Sequence, residues 1–127
     1  GGGRLKGIAE RCGENYAFIL YFYTTAENCS ECERQGLVLS RLRELYPDLR
    51  VYSFDYSTDL SAVKAMLDIY KIEDTKLPAL VVDDEPLTGF RSIEELGALV
   101  EKTFDLKTLE ETEKEKANIT LETTKKP

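Results

Sequence analysis

The 127 residues of this chain are enough for one domain with a single core, since 42% are hydrophobic and 32% are charged. Its 17 Lys and Arg against 24 Asp and Glu give a net charge of -7. We therefore expect no nucleic-acid partner and no membrane contact by the domain itself. The chain has no histidine, which excludes His general bases, Cys–His nucleophile pairs and His-containing metal sites.

The N-terminal part of the chain predicts a short helix followed by a central strand. Residues 1–4 begin with three glycines and are expected to form a flexible N-terminus. Apolar residues recur at helical spacing within Leu5–Cys12, and Gly13 is a natural helix end. We interpret Cys12 as a small core residue of this helix rather than a third redox thiol. The nearly continuous apolar run Tyr16–Tyr23 predicts a strand that is buried on both faces.

A β–α–β unit with parallel strands is predicted next. The stretch from Cys29 to about Tyr46 predicts an amphipathic helix that ends before Pro47. The alternating segment Arg50–Asp55 predicts a second strand. Because a helix separates the two strands, we expect them to be parallel and joined by a right-handed crossover. Asp59 is expected to cap the helix that follows.

The next segment predicts a hairpin and a further helix. Leu77–Val82 predicts a third strand with Pro78 near its start, where the missing N–H is tolerated. A tight turn then leads into a short edge strand that ends at Gly89. Ser92 and Glu95 have the S-x-x-E spacing of a capping box, so they are expected to open the last helix.

The chain is therefore divided into a flexible N-terminus (1–4), one domain (5–103) and a charged C-terminal tail (104–127). The tail is rich in Glu, Lys and Thr and loses clear periodicity. We expect it to be a solvated terminus in which Ile119–Leu121 forms at most a weak extra strand. The predicted order of elements is α-β-α-β-α-β-β-α, with parallel strands first and a hairpin last.

The motif Cys29-Ser30-Glu31-Cys32 lies at the junction between the central strand and the following helix. Two thiols three positions apart in the first helical turn can close a short disulfide, and the positive end of the helix favours a thiolate. The chain has three cysteines, which are too few for a four-thiolate zinc site. A redox function of the pair is therefore a simpler interpretation than metal binding.

With these features the chain resembles the thioredoxin family over roughly Leu5 to Lys102. The resemblance is carried by the C-x-x-C at a strand-to-helix junction, Pro78 opening the third strand, the hairpin with Gly89, and the capped last helix. It implies an α/β fold: a three-layer α/β/α sandwich around a mixed sheet, with parallel N-terminal strands and a C-terminal antiparallel hairpin.

The resemblance also implies roles for individual residues. Cys29 would be the attacking thiol and Cys32 the resolving thiol of a dithiol that acts on protein disulfides. Pro78 would be the family's cis-proline across from the cysteines, and the backbone of Leu77 would pair with an extended substrate segment. No cofactor would be needed in the domain itself. The electrons would come from an unidentified donor, either another protein or a small thiol.

The chain departs from the family at several supporting positions. The family's buried acid would fall near Tyr21 and its lysine partner near Val51, and the usual tryptophan is missing. Three acidic residues, Glu27, Glu31 and Glu33, surround Cys29, and like charge raises the pKa of a thiol. We assign a pKa-modulating role to Glu31. The pair is accordingly expected to be a reductant or a stable disulfide rather than a strong oxidant.

Two other functions stay open on the sequence alone. The chain could be a redox-silent thioredoxin-like interaction module with a structural disulfide, or the cysteines could bind a metal with Glu31 or another carboxylate. The compartment is equally open. Retained cysteines fit a reducing cytosol or an exported or membrane-anchored domain whose signal or anchor is missing.

Overall fold

The structure, a computed structural model, describes residues 17–25 and 29–125, with side chains described up to Asn118. The predicted helix at Leu5–Cys12, the interpretation of Cys12 and the predicted contribution of Glu27 fall outside these residues. Among the helices of the described residues, none is long and apolar enough to cross a bilayer.

Four strands form one mixed sheet. They are β1 (Ala17–Tyr23), β2 (Leu49–Asp55), β3 (Ala79–Val82) and β4 (Glu85–Thr88). The spatial order is β2-β1-β3-β4, with β1 and β2 parallel and both other pairs antiparallel. The predicted mixed sheet, with its parallel N-terminal strands and C-terminal hairpin, is thus confirmed.

The helices follow the strands in sequence. They are α1 (Ser30–Leu45), α2 (Ser61–Ile69), a 3₁₀ turn (Asp74–Lys76), α3 (Ile93–Phe104) and α4 (Leu109–Lys125). Alternate side chains of β1 enter two separate apolar clusters, because successive residues of a strand point to opposite faces. One cluster joins the sheet to α1 and α3, and the other joins it to α2. The three-layer α/β/α arrangement is therefore confirmed.

The strand register determines where the candidate site lies. Phe22 near the end of β1 is opposite Ala79 at the start of β3. Because these strands are antiparallel, the residues just before β3 lie at the same end of the sheet as the segment that leads from β1 to α1. The Leu77–Pro78 segment and the start of the cysteine-bearing helix are consequently brought to one end of the sheet.

The hairpin between β3 and β4 is closed by a two-residue turn. Asp83 and Asp84 both have left-handed backbone conformations, with φ of 49° and 69°. Such turns match the twist of a hairpin, and Asp tolerates the left-handed region better than most residues do. The predicted tight turn at this position is found.

The predicted cap of α2 is wrong. This helix begins at Ser61 with Leu60 as its N-cap residue, and no side chain caps it. Asp59 precedes the N-cap position, and its exposed carboxylate instead lies 3.7 Å from the ammonium group of Lys64. The Thr58 hydroxyl accepts from the N–H of Leu60, so the local turn favours a later helix start than Asp59 would have given.

Most of the charged C-terminal tail forms a helix, since α4 spans Leu109–Lys125, so Ile119–Leu121 is helical and not part of an extra strand. The Thr108 hydroxyl accepts from the N–H of Glu111 and donates to its carboxylate, so Thr108 caps the start of the helix. Glu110 and Lys114 form an i,i+4 ion pair at 3.6 Å. Ahead of the helix, Phe104 and Leu106 pack against the core.

Ser92 caps α3 as predicted, and we expect Ser92→Ala to lower the free energy of unfolding. The Ser92 hydroxyl accepts from the N–H of Glu95 at 3.2 Å. Loss of an N-cap costs about 1 kcal/mol, which corresponds to a fall in Tm of about 4 °C for a domain of this size. Calorimetry of Ser61→Ala, at an exposed first position inside α2, provides the control. Equal losses in the two variants would contradict the capping role.

Candidate functional site

The two cysteines of the motif lie side by side where α1 begins. Their sulfur atoms are 2.09 Å apart and their Cα atoms 5.2 Å apart, so the pair is at disulfide distance. Cys29 is the N-cap residue and is half-buried, whereas Cys32 lies one turn into the helix with 4% of its surface exposed. The structure therefore places one accessible and one shielded sulfur at the same helix end.

Backbone N–H groups at the start of α1 surround Cys29. Its sulfur accepts from the N–H of Cys32 at 3.2 Å. Its carbonyl oxygen accepts from the N–H groups of Cys32 and Glu33 at 3.1 and 3.4 Å. An N–H directed at the sulfur and the positive end of the helix both stabilise negative charge. When the disulfide is reduced, this environment favours a thiolate at Cys29.

The first turn of α1 carries both acidic and basic side chains. Glu31 and Glu33 are both exposed, where solvent and salt screen their effect on the sulfur atoms. The guanidinium of Arg34 lies 4.4 Å from the centre of the Phe90 ring, in a cation–π contact. The pKa-modulating role of Glu31 stays a prediction.

Tyr21 occupies the place where the resemblance locates a buried acid. Its buried hydroxyl donates a hydrogen bond to the carbonyl oxygen of Cys32. Burial, with a smaller effect from Tyr23, raises the pKa of Tyr21 to about 12. Val51, where the lysine partner would fall, packs against the core cluster that includes Tyr21. A neutral phenol and an aliphatic side chain thus stand where an acid–base pair would be.

Titration of Tyr21 should make the protein less stable at high pH. The phenol keeps its proton to about pH 12 when folded, against an ordinary pKa of 10.0. Its contribution to stability is therefore complete below pH 10 and is lost as the pH rises towards 12. Between pH 10 and 12 the free energy of unfolding of the wild type should fall with pH. In Tyr21→Phe we expect this fall to be less steep, by up to about 1.4 kcal/mol per pH unit. Denaturant titrations between pH 9 and 12 measure this, and identical slopes would contradict it.

The Leu77–Pro78 segment lies just before β3, at the end of the sheet where α1 begins. The peptide bond between the two residues is cis. Pro78 is buried, and Leu77 is half-buried against the cluster on the α2 side of the sheet. The carbonyl oxygen of Pro78 accepts from the N–H of Gly89 at 2.9 Å, which ties β3 to the end of the hairpin. The substrate-binding role of both residues stays a prediction.

One residue of the site that sequence reasoning missed is Gln35, which is fully buried one turn after Cys32. Its amide nitrogen donates to the carbonyl oxygen of Arg91 at 3.1 Å, and its amide oxygen accepts from the N–H of Arg91 at 2.7 Å. A signal was present in the sequence. Gln35 is the polar member of a helical face whose other positions, such as Leu39 and Leu42, are apolar and buried.

A groove of about 850 Å³ adjoins the disulfide on the side of β1 and α1. Both cysteines contribute to its wall, together with hydroxyl groups from β1, the segment after it and α1. Leu37, with 73% of its surface exposed, provides an apolar part of the rim. The disulfide therefore borders a space large enough for part of another molecule. No group of three or more Cys, Asp or Glu residues that could hold a metal occurs in the described ranges.

Comparisons with known proteins connect this geometry to one fold. Neither a protein-family model nor a curated protein sequence matches the chain. Among solved structures, a thioredoxin variant from Halobacterium salinarum is 21% identical with a TM-score of 0.58, covering 80% of this chain and 86% of its own. Thioredoxin-2 of the malaria parasite, described as a component of its protein secretion machinery, is 19% identical with a TM-score of 0.57, covering 70% and 84%.

Thioredoxin O1 from Arabidopsis thaliana in its oxidised state is also similar, at 20% identity and a TM-score of 0.55, covering 79% of this chain and 88% of its own. These similarities show that the chain has the thioredoxin fold. Together with a C-x-x-C pair at disulfide distance, the fold supports a protein of the thiol–disulfide oxidoreductase kind.

Proposed function

We propose that this chain is a thiol–disulfide oxidoreductase that reduces disulfides of other proteins. Cys29 acts as the nucleophile, Cys32 as the resolving thiol, and Leu77 with Pro78 forms the platform along which a substrate segment docks. The observation that carries the proposal is the position of the pair: a half-buried sulfur at a helix start, within bonding distance of a shielded one.

The reaction transfers two electrons from the dithiol to the substrate. The Cys29 thiolate attacks one sulfur of the substrate disulfide, whose S–S bond breaks as the Cys29–substrate bond forms, and the departing thiolate takes a proton. Cys32 then loses its proton and attacks the Cys29 sulfur, releasing the second substrate thiol. The product is the oxidised Cys29–Cys32 pair. A protein or small-molecule thiol must return two electrons before the next cycle.

The direction of electron flow belongs to the same proposal. We infer that the pair is a reductant rather than a strong oxidant, because the acidic residues Glu31 and Glu33 in the first turn of α1 oppose the charge of a Cys29 thiolate. Equilibration with glutathione buffers measures the reduction potential. We expect a value near the roughly -270 mV of reducing members of this fold, and a value near about -120 mV would contradict the inference.

The role of Glu31 can be tested with a matched pair of variants. Glu31→Gln removes one negative charge between the cysteines, so we expect the pKa of the Cys29 thiol to fall by a few tenths of a unit, about the size of screened surface effects. Glu94→Gln removes an equivalent exposed charge from the first turn of α3 and is the control. Thiolate absorbance at 240 nm, recorded against pH, gives the pKa. Equal shifts in both variants would contradict a local role.

The rival function is an interaction module whose disulfide is structural. It is favoured by one observation: the phenol of Tyr21, rather than a carboxylate, lies against the Cys32 backbone. Under this alternative, a variant with both cysteines changed to serine would still bind the natural partner. Under the proposed function, that variant would bind substrates only weakly, because no mixed disulfide can form.

Insulin reduction tests the proposed function directly. With dithiothreitol as electron donor, the protein should shorten the lag before the insulin chains precipitate, relative to dithiothreitol alone. The variant with both cysteines changed to serine is the control and should behave as dithiothreitol alone. Equal lags for the wild type and this variant would contradict the oxidoreductase.

A further inference from the structure

The amide of Gln35 joins two parts of the site that lie far apart in the chain. Gln35 is on α1, one turn beyond Cys32, and Arg91 lies 56 positions later in the segment between β4 and α3. Both polar atoms of the side chain are used, since the amide donates to one backbone group of Arg91 and accepts from the other. This paired geometry fixes both the distance and the orientation of the two backbones.

The same segment is bonded to the predicted substrate platform. Gly89, two residues before Arg91, donates its N–H to the carbonyl oxygen of Pro78 at 2.9 Å. Its φ of 84° lies in the left-handed region, where glycine is favoured. A continuous path thus runs from Cys32 through Gln35, Arg91 and Gly89 to Pro78. It consists of backbone and three hydrogen bonds, with no flexible side chain other than that of the buried glutamine.

The burial of a polar side chain at this position requires a reason. An amide that is buried loses its hydrogen bonds to water. Hydrogen bonds to protein groups replace them, with only a small net gain in stability. Leu39 and Leu42, on the same face of α1, show that an apolar side chain is accommodated there. The amide adds directional hydrogen bonds. Apolar packing would also hold the segment around Arg91, but it would not fix the alignment of the backbone there.

We propose that Gln35 is a positioning residue that holds the Leu77–Pro78 platform at a fixed distance from the disulfide. This role rests on the proposed function. It predicts that Gln35 contributes to the reduction of substrates that dock along the platform. A small disulfide reaches Cys29 without touching the platform, so its reduction does not depend on Gln35.

Gln35→Met tests this by comparing two substrates. Methionine has a similar length but forms neither hydrogen bond to Arg91. For a peptide of about ten residues with one disulfide, we expect KM to rise about fivefold with kcat nearly unchanged, the pattern for lost binding. The rate with 5,5′-dithiobis(2-nitrobenzoic acid), a small aromatic disulfide, should stay within about twofold. Proportional losses for both substrates, or no change for either, would overturn the proposal.

Gln35→Glu provides a conservative variant whose behaviour can be reversed. Its carboxylate accepts from the Arg91 N–H but repels the Arg91 carbonyl oxygen, and burial favours the neutral acid. Once protonated, it donates to that oxygen and restores both bonds. The peptide-to-small-disulfide rate ratio should therefore approach the wild-type ratio as the pH falls from 8 to 5. A constant deficit at all pH values, as a packing defect would give, would overturn the proposal.

Amide hydrogen exchange at Gly89 tests the positioning role of Gln35 without any measurement of catalysis. If Gln35 aligns this segment, Gln35→Met should speed the exchange of the Gly89 N–H at least tenfold, although Gly89 itself is unchanged. An unaltered rate would overturn the positioning role. Should Gln35→Met fail to fold, the exchange rate of Gly89 in Gln35→Glu relative to that in the wild type, measured at both pH 5 and pH 8, gives the same readout. A wild type that reduces neither substrate would refute the proposed function, and the Gly89 measurement would still test the alignment.

Discussion

Cys29→Ser should reduce the rate of insulin reduction by about three orders of magnitude or more, to that of the small thiol alone. The reason is that only the half-buried sulfur at the N-cap of α1 is accessible to a substrate disulfide, whereas Cys32 has 4% of its surface exposed. A serine hydroxyl has no comparable nucleophilicity at neutral pH. Insulin precipitation followed at 650 nm measures the rate.

Cys32→Ser is the matched variant, because it removes the other sulfur and keeps the nucleophile. It should also lose turnover, but it should still attack and then accumulate a mixed disulfide that nothing resolves. Both serine variants are therefore expected to lose insulin reduction, but only Cys32→Ser is expected to accumulate a mixed disulfide. Substantial turnover in Cys29→Ser would contradict the assignment of the nucleophile.

The second large effect concerns the core beneath the platform. Phe22→Ala should lower the free energy of unfolding by about 3–5 kcal/mol, the range for truncating a buried aromatic side chain. Phe22 is fully buried, stacks on Phe54 with ring centres 5.5 Å apart, and lies opposite Ala79 in β3. Against a typical total stability of about 5–15 kcal/mol, this is a large fraction. Urea denaturation measures the loss.

Tyr52→Ala is the control for this prediction, since it truncates an aromatic residue on the neighbouring strand. Tyr52 keeps 48% of its surface exposed and contacts Phe18 edge-on at 6.0 Å. We expect a loss of about 1 kcal/mol or less, as for most exposed positions. A Phe22→Ala loss no larger than that of Tyr52→Ala would contradict the assignment of Phe22 to the core.

The layered fold was predictable because its strongest signals are local and agree with one another. The apolar run that became β1 indicates burial on both faces, and β1 does lie between two other strands with helices on both sides. The capping residue Ser92 and the hairpin turn before β4 are likewise features of a few adjacent residues. Short-range physics decides such elements, so a single sequence reveals them.

The predicted cap of α2 was wrong by a single position. Asp59 is a residue type that commonly caps helices, but α2 begins one residue later than such a cap would give, with Leu60 as its N-cap residue. In the C-terminal region the apolar periodicity is weak, and the cap that the Thr108 hydroxyl provides for the N–H of Glu111 was not recognised. Capping and charge pairing shape that helix, and a search for apolar periodicity does not detect them.

Parts of the candidate site depend on long-range contacts that no local pattern encodes. The positions of Cys29, Cys32 and Pro78 were given by the motif and by the resemblance. The pairing of Gln35 with Arg91 and of Tyr21 with the Cys32 carbonyl depends on how distant segments pack. In the sequence Tyr21 was only a departure from the family, and its hydrogen bond became known from the structure.

Trapping with Cys32→Ser tests the central claim most directly. The reduced variant is mixed with an oxidised peptide that carries one disulfide, and the products are analysed by intact mass and peptide mapping. The account predicts a stoichiometric adduct through Cys29, absent from Cys29→Ser and released by dithiothreitol. A variant that stays fully reduced and forms no adduct, alongside a wild type that leaves the peptide oxidised, would contradict it.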